Sequence, residues 1–319
     1  MNLCVNNHEG IHVLNYDESK VLYQLKPARD IIMMRTWNNF LCFANTVYPS
    51  VSPISVHEIN GQRRSTLYGN HLAVLSLVDI QQTNIIASGS GDNSVRLWNI
   101  EYGKCIHDMD HHHGSVTCLL NIPGTQHLYS GSEDCTLKKW DMEHGSCEVT
   151  MNEHSSTINS IINISKQILS SDEQNMIQVW DGQSNKCTSS IKSSHHNELL
   201  GMIKVSDTVF CTFDRSSVSG WDLSNTSKPL FTTKGTNPKR YNDETIVLSV
   251  NDLVCLVNLG GSVEKTFSGH DGKVKSIKKI DDSKLVSCSS GGEVIIWSVD
   301  DGSYKNITID NGEPLITIV

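Results

Sequence analysis

Apolar and polar positions repeat in a fixed pattern along the middle of the chain. Each repeat is marked by a seven-residue segment with the composition of a β-strand, which contains a Trp followed by Asn or Asp. Four such segments occupy residues 94–100, 136–142, 176–182 and 217–223, with their tryptophans at Trp98, Trp140, Trp180 and Trp221. Short strands that recur at a period of about 40 residues, with turn residues between them, predict an all-β chain of repeated units.

The same period accounts for the rest of the chain. Four further segments of this kind lie at residues 10–16, 52–60, 253–259 and 293–299. Among these, only the last contains a Trp, Trp297, and Val257 occupies the Trp position of the unit before it. Repeats of this length, each folding as four strands, predict a β-propeller with eight four-stranded blades. A seven-bladed alternative is left open, in which the weak unit around residues 236–270, with its short inner strand at 238–242, is a long insertion.

The two ends of the chain predict how the propeller closes. The chain begins in strand 3–7, so the first unit lacks an inner strand, and it ends in the apolar run 313–319, which has no partner of its own. Pairing this C-terminal strand with the N-terminal blade completes the eighth blade and removes two exposed sheet edges. No linker or low-complexity tract interrupts the period. Residues 1–319 are therefore predicted to form one domain, with no helix longer than two turns.

Composition and charge argue against several classes of function. With 35 Asp and Glu against 26 Lys and Arg, the net charge of −9 argues against a broad surface for nucleic-acid phosphates. No apolar run reaches about 18 residues, and the first residues lack the basic and apolar regions of a secretory signal, so neither a membrane span nor export is expected. The 10 cysteines follow the repeat as small buried hydrophobic residues and include no Cys-x-x-Cys pair. This predicts free thiols in a reducing compartment, the cytoplasm or the nucleus.

The chain resembles the WD-repeat β-propellers, most clearly over residues 72–223 and 266–300. The resemblance implies a blade lock: a His before the inner strand, a Ser or Thr in the second strand, an Asp in the next turn and the Trp of the third strand, joined by hydrogen bonds. One blade matches in full, with His112, Ser130, Asp134 and Trp140. Three others match in part: Asn70 replaces the His before Ser88, Asp92 and Trp98; Gln174 replaces the Asp after His154 and Ser170; and Gly291 replaces the Asp after His270 and Ser287.

The His–Ser–Asp combination also occurs in hydrolases. Here it recurs by blade, is expected to be buried, and lacks a Gly-x-Ser-x-Gly elbow, so the structural lock is the favoured interpretation. The histidine runs 111–113 and 195–196 lack the local spacing of metal ligands. We therefore expect no catalytic residues, no cofactor, no metal and no small-molecule substrate.

The resemblance implies a non-catalytic scaffold that binds peptide segments or partner subunits on the propeller rim within a multiprotein complex. The alternative is the substrate-recognition subunit of a ubiquitin ligase. Against it, no F-box region precedes the first strand, and the basic residue of the cullin-adaptor pattern is replaced by Glu143, Gln183 and Ser224. An enzyme or a nucleic-acid binder is a third class, which the charge and the lack of an unexplained catalytic cluster disfavour.

Candidate partner-binding residues come from the loops expected to share one face of the propeller. These loops connect each outer strand to the next inner strand, and each second strand to the third. The candidates are Tyr48, Glu133, Glu173, Asp214, Arg215, Arg240 and Tyr241. Tyr and Arg are the residue types that most often anchor interfaces, and the mixed charge favours a peptide with both signs. The opposite face, with turns at Tyr102 and His144, has shorter connections and is not expected to bind partners.

Overall fold

A computed structural model describes residues 2–7, 10–15, 20–25, 31–37, 40–45, 52–58, 60–81, 83–308 and 315–318. These residues contain strands and turns and no helix, which confirms the predicted all-β class. The described part has strands β1–β32, which form eight four-stranded sheets, here numbered 1–8 in chain order. The chain divides into two compact units: residues 1–27, 195–197 and 203–319 form the first, and residues 28–194 and 198–202 form the second.

The second unit contains sheets 2–5. Sheet 2 consists of β4 (Ile31–Trp37), β5 (Phe40–Asn45), β6 (Ile54–Glu58) and β7 (Arg63–Leu67). Sheet 3 consists of β8 (Val74–Ile80), β9 (Ile85–Ser90), β10 (Val95–Asn99) and β11 (Lys104–Met109). Sheet 4 consists of β12 (Val116–Asn121), β13 (His127–Ser132), β14 (Leu137–Asp141) and β15 (Ser146–Met151). Sheet 5 consists of β16 (Ile158–Ile164), β17 (Gln167–Asp172), β18 (Met176–Asp181) and β19 (Cys187–Lys192).

The first unit contains sheets 1, 6, 7 and 8, apart from the first two residues of β20. Sheet 1 consists of β1 (Asn2–Asn7), β2 (Gly10–Asn15), β3 (Lys20–Leu25) and β32 (Leu315–Ile318). Sheet 6 consists of β20 (Gly201–Lys204), β21 (Val209–Phe213), β22 (Ser217–Asp222) and β23 (Phe231–Lys234). Sheet 7 consists of β24 (Thr236–Arg240), β25 (Thr245–Val250), β26 (Leu253–Asn258) and β27 (Val263–Phe267). Sheet 8 consists of β28 (Val274–Asp281), β29 (Lys284–Ser289), β30 (Glu293–Ser298) and β31 (Tyr304–Thr308).

The weak unit around residues 236–270 forms sheet 7, so the described strands support eight blades and not the alternative of seven with an insertion. Its inner strand begins at Thr236 and not at Pro238, where the sequence interpretation placed it. Pro238 has no backbone N–H for the ladder, and the pairing of β24 with β25 shifts register between Thr236 and Lys239. The irregular pairing makes this strand hard to recognise from its sequence.

The pairing of the chain ends is confirmed within sheet 1. Strand β32 pairs antiparallel with β1, with Leu3 opposite Ile318 and Asn6 opposite Leu315. The inner strand of the N-terminal sheet is therefore supplied by the C-terminal segment.

The two ends of each sheet differ in their connections. In sheet 4 the loop 110–115 arrives at β12 beside the turn 133–136, and we call this the loop end. The opposite end carries the turns 122–126 and 142–145 and is called the hairpin end. Because the other sheets have the same strand order, these terms apply to each of them.

Trp98, Trp140, Trp180 and Trp297 each fill the space between their own sheet and the preceding sheet of the same unit. Trp140 is 0 % exposed and belongs to one apolar cluster with Val95 and Leu97 of sheet 3. Val257, at the equivalent place in sheet 7, is also buried and shares its cluster with Phe231 of the preceding outer strand. The smaller Val257 side chain thus packs with an aromatic ring from the neighbouring sheet 6.

Candidate functional site

A chain of hydrogen bonds runs through sheet 4 from its loop end to its third strand. The indole N–H of Trp140 donates to Oγ of Ser130 at 2.8 Å. Oγ of Ser130 lies 2.7 Å from Nε2 of His112, and Nδ1 of His112 lies 2.8 Å from the carboxylate of Asp134. The structure therefore brings together the four residues that the resemblance implies as a blade lock.

The direction of these bonds fixes the protonation of the ring. Because the Asp134 carboxylate can only accept, the proton of the neutral His112 ring lies on Nδ1 and is donated to Asp134. Nε2 is then an acceptor, so Ser130 donates its proton to Nε2 while its oxygen accepts the Trp140 N–H. Burial lowers the pKa of His112, although the bond to Asp134 opposes this effect. Burial also raises the pKa of Asp134, but hydrogen bonds led by that from His112 outweigh it and hold this pKa below its ordinary value.

Sheet 5 contains a second complete lock. Trp180, Ser170 and His154 repeat the spacing of sheet 4, with distances of 2.8 and 2.7 Å. The acid is Asp172, whose carboxylate lies 2.8 Å from Nδ1 of His154. The prediction that Gln174 leaves this position without an acid is wrong, because Asp172 at the end of β17 occupies it from two positions earlier in the chain.

Sheet 8 contains a third lock with a longer acid. The Trp297 N–H donates to Oγ of Ser287 at 2.7 Å, and Ser287 lies 2.6 Å from Nε2 of His270. The carboxylate of Glu293 lies 3.3 Å from Nδ1 of His270. The prediction that Gly291 leaves this blade without an acid is therefore wrong, because the longer Glu293 side chain extends to the ring from the first residue of β30.

Sheet 6 contains a fourth lock, and it includes a residue predicted to bind partners. Trp221 donates to Oγ1 of Thr212 at 2.9 Å, and Thr212 lies 2.9 Å from Nε2 of His195. Asp214 is 0 % exposed, and its carboxylate lies 3.4 Å from Nδ1 of His195. Burial raises the pKa of Asp214, but hydrogen bonds led by the backbone N–H of Ser216 lower it overall. The assignment of Asp214 to a binding surface is wrong, because its side chain is enclosed in the lock.

Sheet 3 replaces the histidine by a different network. Trp98 donates to Oγ of Ser88 at 2.8 Å, and Ser88 lies 3.3 Å from Oδ1 of Asn70. Arg96 is 6 % exposed, and its guanidinium lies 2.8 Å from the carboxylate of Asp92 and 3.2 Å from Oδ1 of Asn70. Sequence reasoning missed Arg96; the available signal was a charged residue on a third strand whose blade lacks the usual His.

The locks do not have the geometry of a hydrolase site. The Ser130 hydroxyl is completely buried and is engaged by both Trp140 and His112. A nucleophile must reach its substrate, whereas this oxygen has no exposed surface. The same holds for Ser170 and Ser287, which are also 0 % exposed. What the arrangement does is satisfy buried polar groups and join the strands of one sheet.

Two of the predicted partner-binding residues lie on turns at the loop end of the second unit. Glu133 and Glu173 are both exposed, in the turns between the second and third strands of sheets 4 and 5. The Glu133 N–H donates to the carbonyl of Ser115 at 2.9 Å, and the Glu173 N–H donates to that of Thr157 at 3.1 Å. Each turn is therefore attached to the loop that arrives beside it. In addition, Ser115 Oγ donates to the Glu133 carboxylate at 2.7 Å.

The remaining candidates do not share that position. Arg215 is exposed at the loop end of sheet 6, in the first unit. Arg240 and Tyr241 were assigned to the same face, which is wrong, because β24 runs away from the loop end and places them at the hairpin end of sheet 7. Arg240 pairs with Asp243. Tyr48 lies outside the described residues.

The side chain of Tyr241 is half-buried and contacts residues of sheet 8. Its hydroxyl donates to the carbonyl of Asp282, and Nζ of Lys279 lies 4.8 Å from its ring centre. Burial raises the pKa of Tyr241, and the nearby acids of sheet 8 raise it further. These contacts join sheet 7 to sheet 8 and give the ring a role in packing.

The cysteines divide by strand. Cys42, Cys211 and Cys288 on second strands are buried, as predicted, and the nine cysteines from Cys42 to Cys288 are free thiols. Cys105 is exposed and Cys147 and Cys187 are half-buried, so the prediction of burial is wrong for fourth strands, which form the open edge of each sheet.

Within the described residues no group of three His, Cys, Asp or Glu side chains is arranged to hold a metal ion. In the same part of the chain, no helix has the length and apolar character needed to cross a membrane.

Comparison with known proteins agrees with this geometry. The family model "WD domain, G-beta repeat" matches residues 61–99, 103–141 and 261–298. Subunit I of eukaryotic translation initiation factor 3 from Emericella nidulans is 48 % identical over 48 residues, which cover 15 % of this chain and 14 % of that protein. Ribosome biogenesis protein YTM1 from Candida glabrata is 37 % identical over 67 residues, which cover 20 % of this chain and 15 % of that protein. The matches thus span a small part of these relatives.

The fold itself extends over nearly the whole chain. A crystal structure of the computationally designed Ika8 protein superimposes with a TM-score of 0.80 and 20 % identity, covering 93 % of both chains. At this identity the similarity concerns the fold alone. Each matched repeat contains the outer strand of one sheet and the first three strands of the next. The chain therefore contains three repeats of the WD domain, G-beta repeat type, and its eight four-stranded sheets with recurring locks have the fold of a WD-repeat β-propeller.

Proposed function

We propose that this protein is a non-catalytic interaction scaffold, a single propeller domain of residues 1–319 that binds peptide segments or partner subunits within a multiprotein complex. The binding surface in the second unit is the loop end of sheets 4 and 5, where Glu133 and Glu173 are exposed. In the first unit, Arg215 at the loop end of sheet 6 has the corresponding position. No cofactor and no small-molecule substrate take part.

One observation carries this proposal: buried locks and backbone hydrogen bonds support the turns that bear the exposed carboxylates. In sheet 5 the lock acid Asp172 immediately precedes Glu173, and its carboxylate accepts the backbone N–H of Gln174 at 3.0 Å. In sheet 4 the lock acid Asp134 immediately follows Glu133, and its carboxylate accepts the N–H of Thr136 at 2.9 Å. Surface residues held in this way lose little conformational entropy on binding, which favours recognition of a partner.

The named relatives support a role among other proteins. One is described as a subunit of a translation initiation factor and the other as a ribosome biogenesis protein. We extend to this chain only the general feature, work within a protein assembly, and place it in the cytoplasm or the nucleus.

Site-specific cross-linking tests the proposed surface. A photo-cross-linking amino acid is introduced at Glu173 or, as the matched control, at Gln183, which is exposed on the hairpin end of the same sheet. After irradiation in cells, we expect discrete adducts with other proteins from position 173 and none of these adducts from position 183. Equal adducts from both positions, or adducts from 183 alone, would show that the loop end of sheet 5 is not the binding surface.

A further inference from the structure

A groove of about 340 Å³ opens at the hairpin end of the second unit, between sheets 3 and 4. Its apolar residues are Ile80 and Ile85 from sheet 3 and Pro123 and Met142 from sheet 4. Ile80 is 7 % exposed, and Ile85 and Met142 are partly buried against the same apolar cluster. Binding pockets for small ligands span about 300–1,000 Å³, so this groove has room for one or two side chains.

Two threonines in the groove walls contribute little polar character. Oγ1 of Thr83 donates to the carbonyl of Ile80 at 2.6 Å, and Oγ1 of Thr125 donates to the carbonyl of Ile122 at 2.8 Å. Both hydroxyl protons are therefore used within their own hairpin turns. The interior of the groove favours an apolar side chain.

The rim of the groove is polar and carries one charge. Gln81, Gln126 and Glu143 line it, and within the described residues no hydrogen bond or ion pair engages their side chains. Amide groups of this kind can hydrogen-bond to both the N–H and the C=O of an extended backbone. The Glu143 carboxylate favours a cation beside the apolar side chain. Its own backbone carbonyl is already fixed, since Nε2 of His107 lies 3.0 Å from it.

The equivalent place between sheets 4 and 5 has a different chemistry. Gly182 and Gln183 follow Trp180-Asp181 as Met142 and Glu143 follow Trp140-Asp141. A Cβ on Gly182 would lie 2.6 Å from the carbonyl oxygen of Lys166, so this position has no room for an apolar side chain. The apolar floor and the carboxylate thus occur together between sheets 3 and 4 and not between sheets 4 and 5.

We propose that this groove binds an extended segment of a partner protein in which an aliphatic side chain is followed within two positions by Lys or Arg. The aliphatic side chain packs against Ile80, Ile85 and Met142. The amides of Gln81 and Gln126 bind the peptide backbone, and the cation pairs with Glu143. The surface lies at the hairpin end, the face that the sequence did not predict to bind partners, and is separate from the loop-end surface proposed above.

Selection from a displayed library of random nine-residue peptides on the full chain tests this inference. We expect enrichment of an aliphatic residue followed within two positions by Lys or Arg. For the best such peptide, fluorescence polarisation should show at least about tenfold weaker binding to Glu143→Lys, because two cations then face each other. Met142→Ser should also weaken binding, whereas the matched control Gln183→Lys should leave it unchanged.

A charge exchange completes the test. The peptide with its Lys replaced by Glu should bind Glu143→Lys better than it binds the unchanged protein. Absence of enrichment, equal affinity for Glu143→Lys and the unchanged protein, or loss of binding with Gln183→Lys would each overturn the proposal. Thermal melts confirm that the variants are folded. Because cross-links at Glu173 report on the loop end alone, failure of either surface leaves the result for the other intact.

Discussion

The Ser or Thr on a second strand takes part in two hydrogen bonds at once. Its oxygen accepts the Trp N–H and its proton goes to Nε2 of the His, as with Ser130 between Trp140 and His112. Ala at this position would leave a buried donor and a buried acceptor unpaired, each at a cost of about 1–3 kcal/mol. This explains why the position is Ser or Thr in every sheet described with a lock Trp.

The first prediction compares two residues at equivalent places. Trp140→Ala should lower the free energy of unfolding by roughly 3–5 kcal/mol, because it removes a fully buried ring and the donor of the lock. Val257→Ala should cost about 2 kcal/mol, since it removes only two methyl groups and no hydrogen bond. Denaturant unfolding of both variants provides the measurement. Equal losses of stability would show that the lock contributes nothing beyond the volume of a small side chain.

The second prediction concerns pH. Burial lowers the pKa of His112, His195 and His270 from the ordinary value of 6.5 in the folded state. At about pH 7.5 these rings are almost entirely neutral in both states, so stability depends little on their protonation. Below this pH, the unfolded chain binds protons that the folded chain does not, so stability should fall as the pH decreases. The melting temperature should therefore be lower at about pH 5.5 than at about pH 7.5.

A variant and an opposing group define the controls for this pH effect. His112→Asn should show a smaller decrease in melting temperature over the same range, because one of the three rings is gone. The exposed His144 acts in the opposite direction, since its hydrogen bond to Asp141 raises its pKa and stabilises the fold at low pH. For His144→Asn the melting temperature should therefore fall further between about pH 7.5 and about pH 5.5 than it does for the unchanged protein. A melting temperature that rises on acidification would contradict the assignment of neutral buried rings.

At this scale the sequence predicts some lock residues and not others. Three lock residues recur at nearly fixed sequence positions, because their places in the strands set those positions. The His precedes the inner strand, the Ser or Thr lies on the second strand, and the Trp lies on the third. The acid only has to place an oxygen near Nδ1, so Asp134, Asp172 and Glu293 reach it from different points of the turn. A search at one sequence position finds the first and misses the other two. Arg96 is missed for a related reason, because a buried cation replaces the His through a different strand.

At the scale of elements, strand β32 is the most unusual in its connection. It is the inner strand of sheet 1, although the other strands of that sheet come from the start of the chain. Its four residues pair with β1 over the register Leu3–Ile318 to Asn6–Leu315. Without β32, the N–H and C=O groups of β1 on that side would have no partner strand.

Deletion of residues 313–319 should therefore destabilise the protein more than its length suggests. We expect a lower melting temperature and self-association, because the uncovered β1 edge can pair with another chain. Differential scanning calorimetry and light scattering give the two measurements, with deletion of Val319 alone as the control that leaves β32 in place. A monomeric product whose melting temperature shifts by less than about 2 °C would contradict this role of the strand.

The strands were predictable because each unit repeats the same order of apolar and turn positions. The exceptions have physical causes. Strand β24 contains Pro238, which interrupts regular pairing, so its start was misplaced. Because the strand begins earlier than predicted, Arg240 and Tyr241 lie at its end, at the hairpin end of sheet 7, and not at its start. The end of a sheet on which a residue lies depends on strand direction, which the spacing of a weak repeat does not fix.

Over the whole molecule the polar residues are of two kinds. Buried His, Ser and acidic side chains are used within single sheets, whereas exposed residues on the supported turns are the ones that we propose bind partners. The proposed groove adds a second surface with a different chemistry: the loop end of sheets 4 and 5 presents Glu133 and Glu173, while the hairpin end presents an apolar floor beside Glu143. A protein with two such surfaces can bind two partners at the same time, as a scaffold requires.

We propose that the loop end of sheets 4 and 5 binds protein partners. Quantitative mass spectrometry of co-purifying proteins tests this binding, with the double variant Glu133→Lys and Glu173→Lys against the unchanged chain. The control double variant, Glu101→Lys with Glu148→Lys, makes the same change of charge away from the loop end. We predict that the first variant loses most co-purifying proteins, keeps its melting temperature, and differs from the control, which retains them. Retention of every partner by the first variant, or equal loss in both, would contradict the account.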